Sequence, residues 1–207
     1  MNFSLIAEGY MEESIAVRLL PFCGHELGTV YGQHGCSFIR QNATKFQHLA
    51  TEQTGVLVLT DFRDARTKCI PDALLQYIHK KMPEPPETFL CRFAVNEIES
   101  WLLADAKGMS GFLGIAVSRV PIYPEDEANP KRTLVDLARS SRNKKIREGI
   151  APPPGHHANV GPEYMSLMRE FISSHWNIEA ALHSAPSLER CIRRLCELPC
   201  NICKQGK

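Results

Sequence analysis

The chain has 207 residues, and 24 Lys and Arg balance 23 Asp and Glu, for a formal net charge of +1. A chain of this length buries roughly 70% of its unfolded surface and folds without disulfides. The small net charge excludes a global attraction to nucleic acid, so any basic surface must be local.

The first half of the chain alternates short apolar runs with helical patterns. The predicted elements are, in chain order, a strand at 3–8, a helix at 12–20 closed by Pro21, a glycine-broken β segment at 28–40, a helix at 42–53 capped by Asn42, a strand at 55–60, a helix at 71–81, a strand at 88–95 and a helix from Asn96 to Asp105. This order predicts an α/β domain with a largely parallel sheet flanked by helices.

The second half is richer in loops and helices. Residues 107–130 hold many glycines and prolines, and helices are expected at about 131–148, 162–174, 175–183 and 186–198. We therefore expect a core over 1–106 and a helical extension over 107–207, packed together as one structural domain.

Nothing in the sequence predicts a membrane or secretory protein. No run approaches the ~20 apolar residues that span a bilayer. The start MNFSLIAEGY lacks the basic and apolar regions of a signal peptide. We expect a cytoplasmic protein whose eight cysteines are reduced.

Acidic residues stand where the predicted strands end. Glu8 closes the first strand, Asp61 follows the apolar run GVLVLT, and Glu97 follows the last strand. Ligands of parallel sheets bind beyond the carboxyl ends of the strands. Carboxylates gathered there repel one another unless a cation such as Mg²⁺ lies among them. The pattern favours metal-dependent phosphate chemistry.

Each acid also has a simpler reading. Glu12 can merely favour the N-terminus of its helix, and Asp61 can be a turn residue. Glu97 and Glu99 can be first-turn acids of the helix that follows, although a strand-to-helix junction would let both face one pocket. Glu8 is harder to explain this way, because an acid that closes a buried strand needs a partner.

These motifs resemble a known family. The E-G-x-x-E after the first strand, the Asp after the apolar strand and the E-x-E before Trp-Leu-Leu-Ala-Asp look like domain-of-unknown-function family 4276. That family is related to the Toprim nucleases, including the nuclease half of the overcoming-lysogenization-defect enzymes. The similarity extends to the Asn129-Pro130-Lys131-Arg132 segment and the terminal SLERCIRRL helix.

The resemblance implies a Toprim-like core that holds one or two Mg²⁺ or Mn²⁺ ions. It assigns Glu8, Asp61 and Glu97 to catalysis, with acid/base work for Glu8, and adds Glu12 and Glu99 as metal ligands. Position 63, where Toprim proteins have a second Asp, is Arg, and Asp64 is one place too far. Charge stabilisation at the phosphate would come from a basic side chain, for which the candidates are Lys68, Lys131 and Arg132.

A basic segment lies between residues 129 and 150. Its seven basic residues outnumber two acidic ones, for a local charge of +5. It is either a solvated helix surface or a contact for a nucleic-acid backbone. The candidate contacts are Lys131, Arg132, Arg142, Lys144 and Lys145.

Next along the chain, His156 and His157 follow the sequence PPPG. We interpret this segment as a loop rather than as a catalytic or metal site.

The C-terminal cysteines have the spacing C-x4-C-x3-C-x2-C. Two readings stay open: a zinc site, or a helix that buries Cys191 and is followed by a tail. The zinc site would use Cys191, Cys196, Cys200 and Cys203.

The motifs together predict a divalent-metal-dependent nuclease. We expect its nucleic-acid substrate to be DNA rather than RNA. The resemblance further implies an effector subunit of antiphage defence that works with an ABC- or SMC-like ATPase, and the chain could form a homo-oligomer. The alternative is a Toprim-like interaction or nucleic-acid-binding subunit with an incomplete metal site, which Arg63 favours.

Overall fold

A computed structural model describes residues 1–32, 34–63 and 69–199, without the side chain of His79. The chain divides into two compact units, Met1–Val95 with Arg190–Lys207 and Asn96–Glu189. The border expected after residue 106 lies inside the second unit. Within the described ranges, no helix is both long enough and apolar enough to cross a membrane.

The first unit contains a four-stranded, all-parallel sheet in the order β2-β1-β3-β4. The strands are β1 Asn2–Ala7, β2 Glu26–Gly32, β3 Thr54–Asp61 and β4 Phe89–Ala94. In the central strands β1 and β3 most residues are buried, as expected when helices cover both faces of a sheet. The predicted α/β class and parallel sheet are confirmed.

The chain moves across the sheet in one direction from β1 to β2 and in the opposite direction from β2 to β3 and β4. Helix α1 (Tyr10–Phe22) joins β1 to β2. Helix α2 (Gly35–Asn42) and a 3₁₀ segment (Ala43–Leu49) lead across to β3, and α3 (Ile70–Leu74) with a π turn (Leu75–His79) precedes β4. Right-handed crossovers then place α1 on one face of the sheet and the later helices on the other.

The core confirms this placement. Ile39 of α2 and Tyr77 of the π turn share one cluster of buried side chains with Ile6, Val58 and Phe93 of the sheet. The connection that follows β1 therefore runs over one face of the sheet, and the connection that follows β3 runs over the other face. β1 and β3 are neighbours in the sheet. Such a topological switch point opens a crevice at the carboxyl ends of the two strands.

Local predictions around α1 and α2 need correction. Pro21 does not close α1, because the helix continues to Phe22 with the proline inside its last turn. The β segment ends at Gly32, and the additional helix α2 begins at Gly35 within the range predicted as β. The helix predicted at 42–53 is present in part as the 3₁₀ segment Ala43–Leu49. Asn42 is its N-cap residue but makes no side-chain capping bond, and its side-chain amide donates to the Phe38 carbonyl at 3.0 Å.

The second unit is helical. Its helices are α4 Glu99–Leu103, α5 Ala106–Leu113, α6 Pro130–Arg139, α7 Lys144–Ile150, α8 Tyr164–Ser174 and α9 Ile178–Leu182, and α10 (Pro186–Cys196) begins in this unit. Its two fully buried tryptophans are joined by hydrogen bonds. The Trp101 indole donates to Ser187 Oγ at 2.7 Å, and the Trp176 indole donates to the Trp101 carbonyl at 3.2 Å.

Two predictions in the second unit are wrong. The single helix expected at 131–148 is interrupted, because Ser141 Oγ accepts from the Asn143 amide and the Asn143 side chain caps α7. Asn96 does not cap α4. It adopts φ 61°, and its amide donates to the carbonyls of Glu125 and Glu127 at 3.1 and 2.7 Å. Helix α4 then begins at Glu99.

A buried histidine links the end of α10 to the sheet within the first unit. His25 precedes β2 and is 2% exposed, its Nε2–H donates to the Leu195 carbonyl at 2.8 Å, and its ring lies 5.0 Å from that of Phe3. Burial lowers the pKa of His25 below its ordinary value. The folded protein therefore holds this imidazole in its neutral form.

We expect the free energy of unfolding to fall as the pH drops below ~6.5, the ordinary pKa that His25 regains on unfolding. Below that pH the unfolded chain binds a proton that the folded protein resists, until the depressed folded pKa is reached. The slope from this one site is limited to about 1.4 kcal/mol per pH unit. Urea unfolding between pH 4.5 and 8 measures it, and His25→Gln should lose this slope. An equal slope in both proteins would contradict the assignment.

Candidate metal centre

Three of the predicted acids meet at the switch point of the sheet. Glu8 directly follows β1, Asp61 ends β3, and Glu12 lies in the first turn of α1. One carboxylate oxygen from each of the three lies within 4.8 Å of the other two. Glu12 is buried, whereas Glu8 and Asp61 are partly exposed. The expectation that the ends of β1 and β3 bring their acids together is confirmed.

The Glu8 side chain joins the ends of the two strands. Its Oε2 accepts hydrogen bonds from Thr60 Oγ1 at 2.7 Å and from the Asp61 amide at 2.9 Å. Both donors belong to the last two residues of β3, so these bonds fix the carboxylate against the neighbouring strand. This is the partner that an acid closing a buried strand requires. Thr60 is a site residue that the sequence patterns did not single out.

Glu12 combines the two roles that its sequence position left open. Its Oε2 accepts from the backbone amide of Gly9, the N-cap residue of α1, at 2.9 Å. The same carboxylate belongs to the acidic cluster. The positive end of the α1 dipole lies beside this carboxylate and offsets part of its charge. Helix capping and metal ligation are therefore compatible here.

The chemistry of the cluster fits a hard divalent cation. Two unit charges 4.8 Å apart repel by on the order of 3 kcal/mol at an effective dielectric constant near 20. Carboxylate oxygens are the ligands that Mg²⁺ prefers, and one or two carboxylates with water commonly complete its shell. The three oxygens can thus share one Mg²⁺ or Mn²⁺ ion, which would relieve their repulsion.

Ligands for a second metal ion were sought in the segment after Asp61. Arg63, at the position where the family resemblance would require a second Asp, is exposed. Asp64 and Lys68, which the sequence also raised as candidates, lie outside the described residues. Two-metal catalysis therefore stays a prediction.

Glu97 and Glu99 lie in the second unit, where both reach Lys131. Glu97 Oε2 accepts from the Lys131 amide at 3.0 Å, and Glu99 Oε1 lies 3.3 Å from Lys131 Nζ. Tyr164 also donates to Glu99 Oε1, at 2.8 Å. The two carboxylates thus contact the same residue despite their spacing of two, Glu97 at its backbone and Glu99 at its side chain. Since Lys131 is in the first turn of α6, Glu97 also serves as an acid at that helix N-terminus.

The Glu99 side chain is almost completely enclosed. It is 1% exposed, and its Oε2 has no hydrogen-bond partner among the residues that the structure describes. Leaving one lone-pair-rich oxygen of a buried carboxylate unsatisfied costs roughly 1–3 kcal/mol. The ammonium of Lys131, 38% exposed, is the cation that offsets this charge.

The predicted nucleic-acid contacts divide by their surroundings. Arg132 pairs with Asp136 at 2.9 Å, Lys145 Nζ lies 3.9 Å from Glu170, and Lys131 is bound to Glu99. Arg142 and Lys144 are exposed beside the start of α7. Arg142, Lys144 and Lys145 are thus exposed close together in the chain, whereas the exposed Arg132 and Arg139 both pair with Asp136.

A cleft of ≈ 880 Å³ lies in the same unit. Arg139 and Arg147 contribute its positive charge, Glu148 opposes them, and Pro152, Pro153, Pro154 and His156 are among its other walls. Both histidines of the loop are exposed. The basic composition of residues 129–150 indicated that these two arginines could bind phosphate. Nothing in the sequence indicated that the proline-rich loop would line the same cleft.

The described cysteines give no compact zinc site. Cys191 is fully buried and Cys196 is exposed, five residues later on α10. Burial raises the pKa of Cys191 to about 12, which disfavours the thiolate that zinc requires. Cys200 and Cys203 lie outside the described residues, so the four-cysteine zinc site stays a prediction.

Comparisons of the chain with models of protein families, with curated proteins and with solved structures found no match. The resemblance to family 4276 and to Toprim nucleases therefore stays a prediction from the acidic motifs. The metal centre is supported by the geometry of Glu8, Glu12 and Asp61.

We expect Mg²⁺ or Mn²⁺ at millimolar concentration to raise the melting temperature of the wild-type protein, because the ion binds the folded carboxylate cluster and not the unfolded chain. Asp61→Asn should abolish this shift. Without metal, the same variant should melt at or above the wild-type temperature, because one repulsive charge is gone. Differential scanning fluorimetry measures both effects.

Glu13→Gln is the matched control, since Glu13 follows Glu12 on the same helix but is outside the cluster. It should keep the metal-induced shift. An equal shift in Asp61→Asn and in wild type would show that the ions bind elsewhere.

We expect Lys131→Met to lower the free energy of unfolding by about 1–3 kcal/mol, because the Glu99 carboxylate would stay buried without its cation. The figure is below the usual 3–5 kcal/mol for breaking a buried pair, since the lysine is partly exposed. The double variant Glu99→Gln/Lys131→Met should recover most of the loss. Denaturant unfolding tests both, and a neutral Lys131→Met would refute a structural ion pair.

Proposed function

We propose that this chain is a divalent-metal-dependent nuclease that uses Glu8, Glu12 and Asp61 as its metal ligands. The observation that carries the proposal is the meeting of three carboxylates, from two adjacent parallel strands and one helix N-terminus, at the switch point of the sheet. Switch points are where α/β sheets bind their ligands. A phosphodiester is the substrate class best matched to Mg²⁺ or Mn²⁺ held by carboxylates.

The protein side chains would divide the work as follows. The bound ion would supply Lewis acidity toward the phosphate and toward water. Thr60 Oγ1 and the Asp61 amide hold Glu8 through its Oε2. In this proposal Glu8 Oε1 accepts the proton of the attacking water. Thr60 is then a positioning residue that acts through Glu8.

The second unit supports nucleic acid as the polymer that carries the phosphodiester. Arg142, Lys144 and Lys145 supply accessible positive charge at the start of α7. Arg139 and Arg147 line the cleft beside the proline loop, and the planar guanidinium group suits bidentate binding of phosphate oxygens. We propose DNA as the first substrate to test, with RNA as the second.

The alternative function is a binding subunit that holds nucleic acid or a protein partner without cutting. Arg63, in place of a second Asp, is the observation that favours it, since a positive side chain there cannot hold a second metal ion. The partner that the family resemblance suggests is an ABC- or SMC-like ATPase. The two functions differ in whether cleavage accompanies binding.

Cleavage assays separate these functions. Plasmid DNA, single-stranded DNA and RNA are incubated with Mg²⁺ or Mn²⁺, with and without an ABC-type ATPase. We expect metal-dependent cleavage that Glu8→Gln and Asp61→Asn reduce by ~100-fold or more, because each removes a group that holds the ion or the water. Glu13→Gln should cleave like wild type. EDTA should stop the reaction, and metal should restore it.

The outcomes are distinct. Cleavage unchanged by both acid substitutions would refute the site. Binding without cleavage under any condition, lost in Lys144→Ala/Lys145→Ala but kept in Asp61→Asn, would establish the binding subunit instead.

A further inference from the structure

Two cysteines that are far apart in the sequence meet in the first unit. Cys23 follows α1 as its C-cap residue, and Cys196 ends α10. The Cys23 thiol donates to the Ile192 carbonyl at 3.8 Å. In an α-helix that carbonyl accepts from the amide four residues later, which is Cys196. The Cys196 thiol is also near enough to Cys23 to raise the pKa of the Cys23 thiol.

The two thiols differ in accessibility. Cys196 is exposed, whereas Cys23 is 6% exposed. Burial, together with the neighbouring Cys196, raises the pKa of the Cys23 thiol well above its ordinary value. Cys23 is therefore protonated at neutral pH and shielded from small reagents. An oxidant reaches Cys196 first, with Cys23 in contact as the second thiol.

We propose that Cys23 and Cys196 form a redox-active dithiol that closes to a disulfide by exchange with a small-molecule disulfide such as glutathione disulfide. This role is independent of the metal centre. It also differs from the zinc site, which would combine Cys196 with the other C-terminal cysteines.

The reaction with glutathione disulfide balances in atoms, protons and electrons. The Cys196 thiol loses a proton, and the thiolate attacks one sulfur of glutathione disulfide, which expels one glutathione thiolate. Cys23 then loses its proton and attacks the Cys196 sulfur of the mixed disulfide, which expels the second glutathione. The two cysteines lose two electrons and two protons, and one glutathione disulfide becomes two glutathione molecules. Glutathione in excess reverses both steps.

Closure would change the stability of the first unit. The disulfide would join the end of α1 to the last turn of α10, next to the hydrogen bond between His25 and the Leu195 carbonyl. It would enclose most of the chain in one covalent loop, and long loops lose the most entropy in the unfolded state. Oxidation would thus link the end of α10 covalently to the end of α1.

Oxidation of the full-length chain tests the proposal. In the variant Cys36→Ser/Cys200→Ser/Cys203→Ser, tryptic peptides 19–40 and 195–204 each keep one cysteine, Cys23 and Cys196. After treatment with glutathione disulfide, non-reducing mass spectrometry should find these peptides linked. The melting temperature should rise by roughly 5 to 15 °C and return on addition of dithiothreitol. The same rise and return are expected in the wild-type chain.

The single substitutions complete the test. Cys196→Ser changes an exposed residue, so it should fold, and it should lose both the link and the stabilisation. Cys69→Ser, at another exposed cysteine, should keep both. A stable mixed disulfide at Cys196, a link from Cys196 to Cys191, or no oxidation would overturn the proposal. Zinc that co-purifies with the wild-type chain and protects Cys23 and Cys196 from alkylation would also overturn it.

Discussion

Electrostatic repulsion among Glu8, Glu12 and Asp61 is the constraint around which the switch point is built. Three carboxylates that bring oxygens within 4.8 Å of one another need compensation that hydrophobic packing cannot supply. The end of β3 provides two donors to Glu8, and the start of α1 provides an amide to Glu12. These donors are neutral, so they orient the carboxylates but do not balance their charge. A cation bound among the three carboxylates would balance that charge.

The parallel sheet makes this cluster predictable from the sequence. The apolar run from Val56 to Leu59 has the composition of a strand covered on both faces, and it leads directly to Asp61. Glu8 directly follows β1, whose last three residues are buried. In a parallel sheet the carboxyl ends of neighbouring strands lie at one edge. Reading each strand separately was therefore sufficient to bring Glu8 and Asp61 together.

Contacts that depend on long sequence separation were beyond such reading. Nothing in the local pattern around Glu99 indicates that Tyr164, 65 residues later, donates to it. The thiol of Cys23 meets a carbonyl 169 residues away. The break between α6 and α7 was also missed, because a single helix was expected over 131–148. There Ser141 and Asn143 compete for backbone groups and end one helix before the next begins.

Glu97 and Glu99 belong to the same sequence motif, but their side chains have different surroundings in the structure. Glu97 accepts from a backbone amide in the first turn of α6, a bond that helix capping alone explains. Glu99 is buried with one oxygen unsatisfied among the described residues, although Lys131 and Tyr164 engage the other. A neutral, well-packed side chain would avoid the desolvation of that carboxylate. Local arrangements that oppose stability concentrate at functional sites. Glu99, more than Glu97, is therefore the second-unit acid whose retention calls for a functional reason.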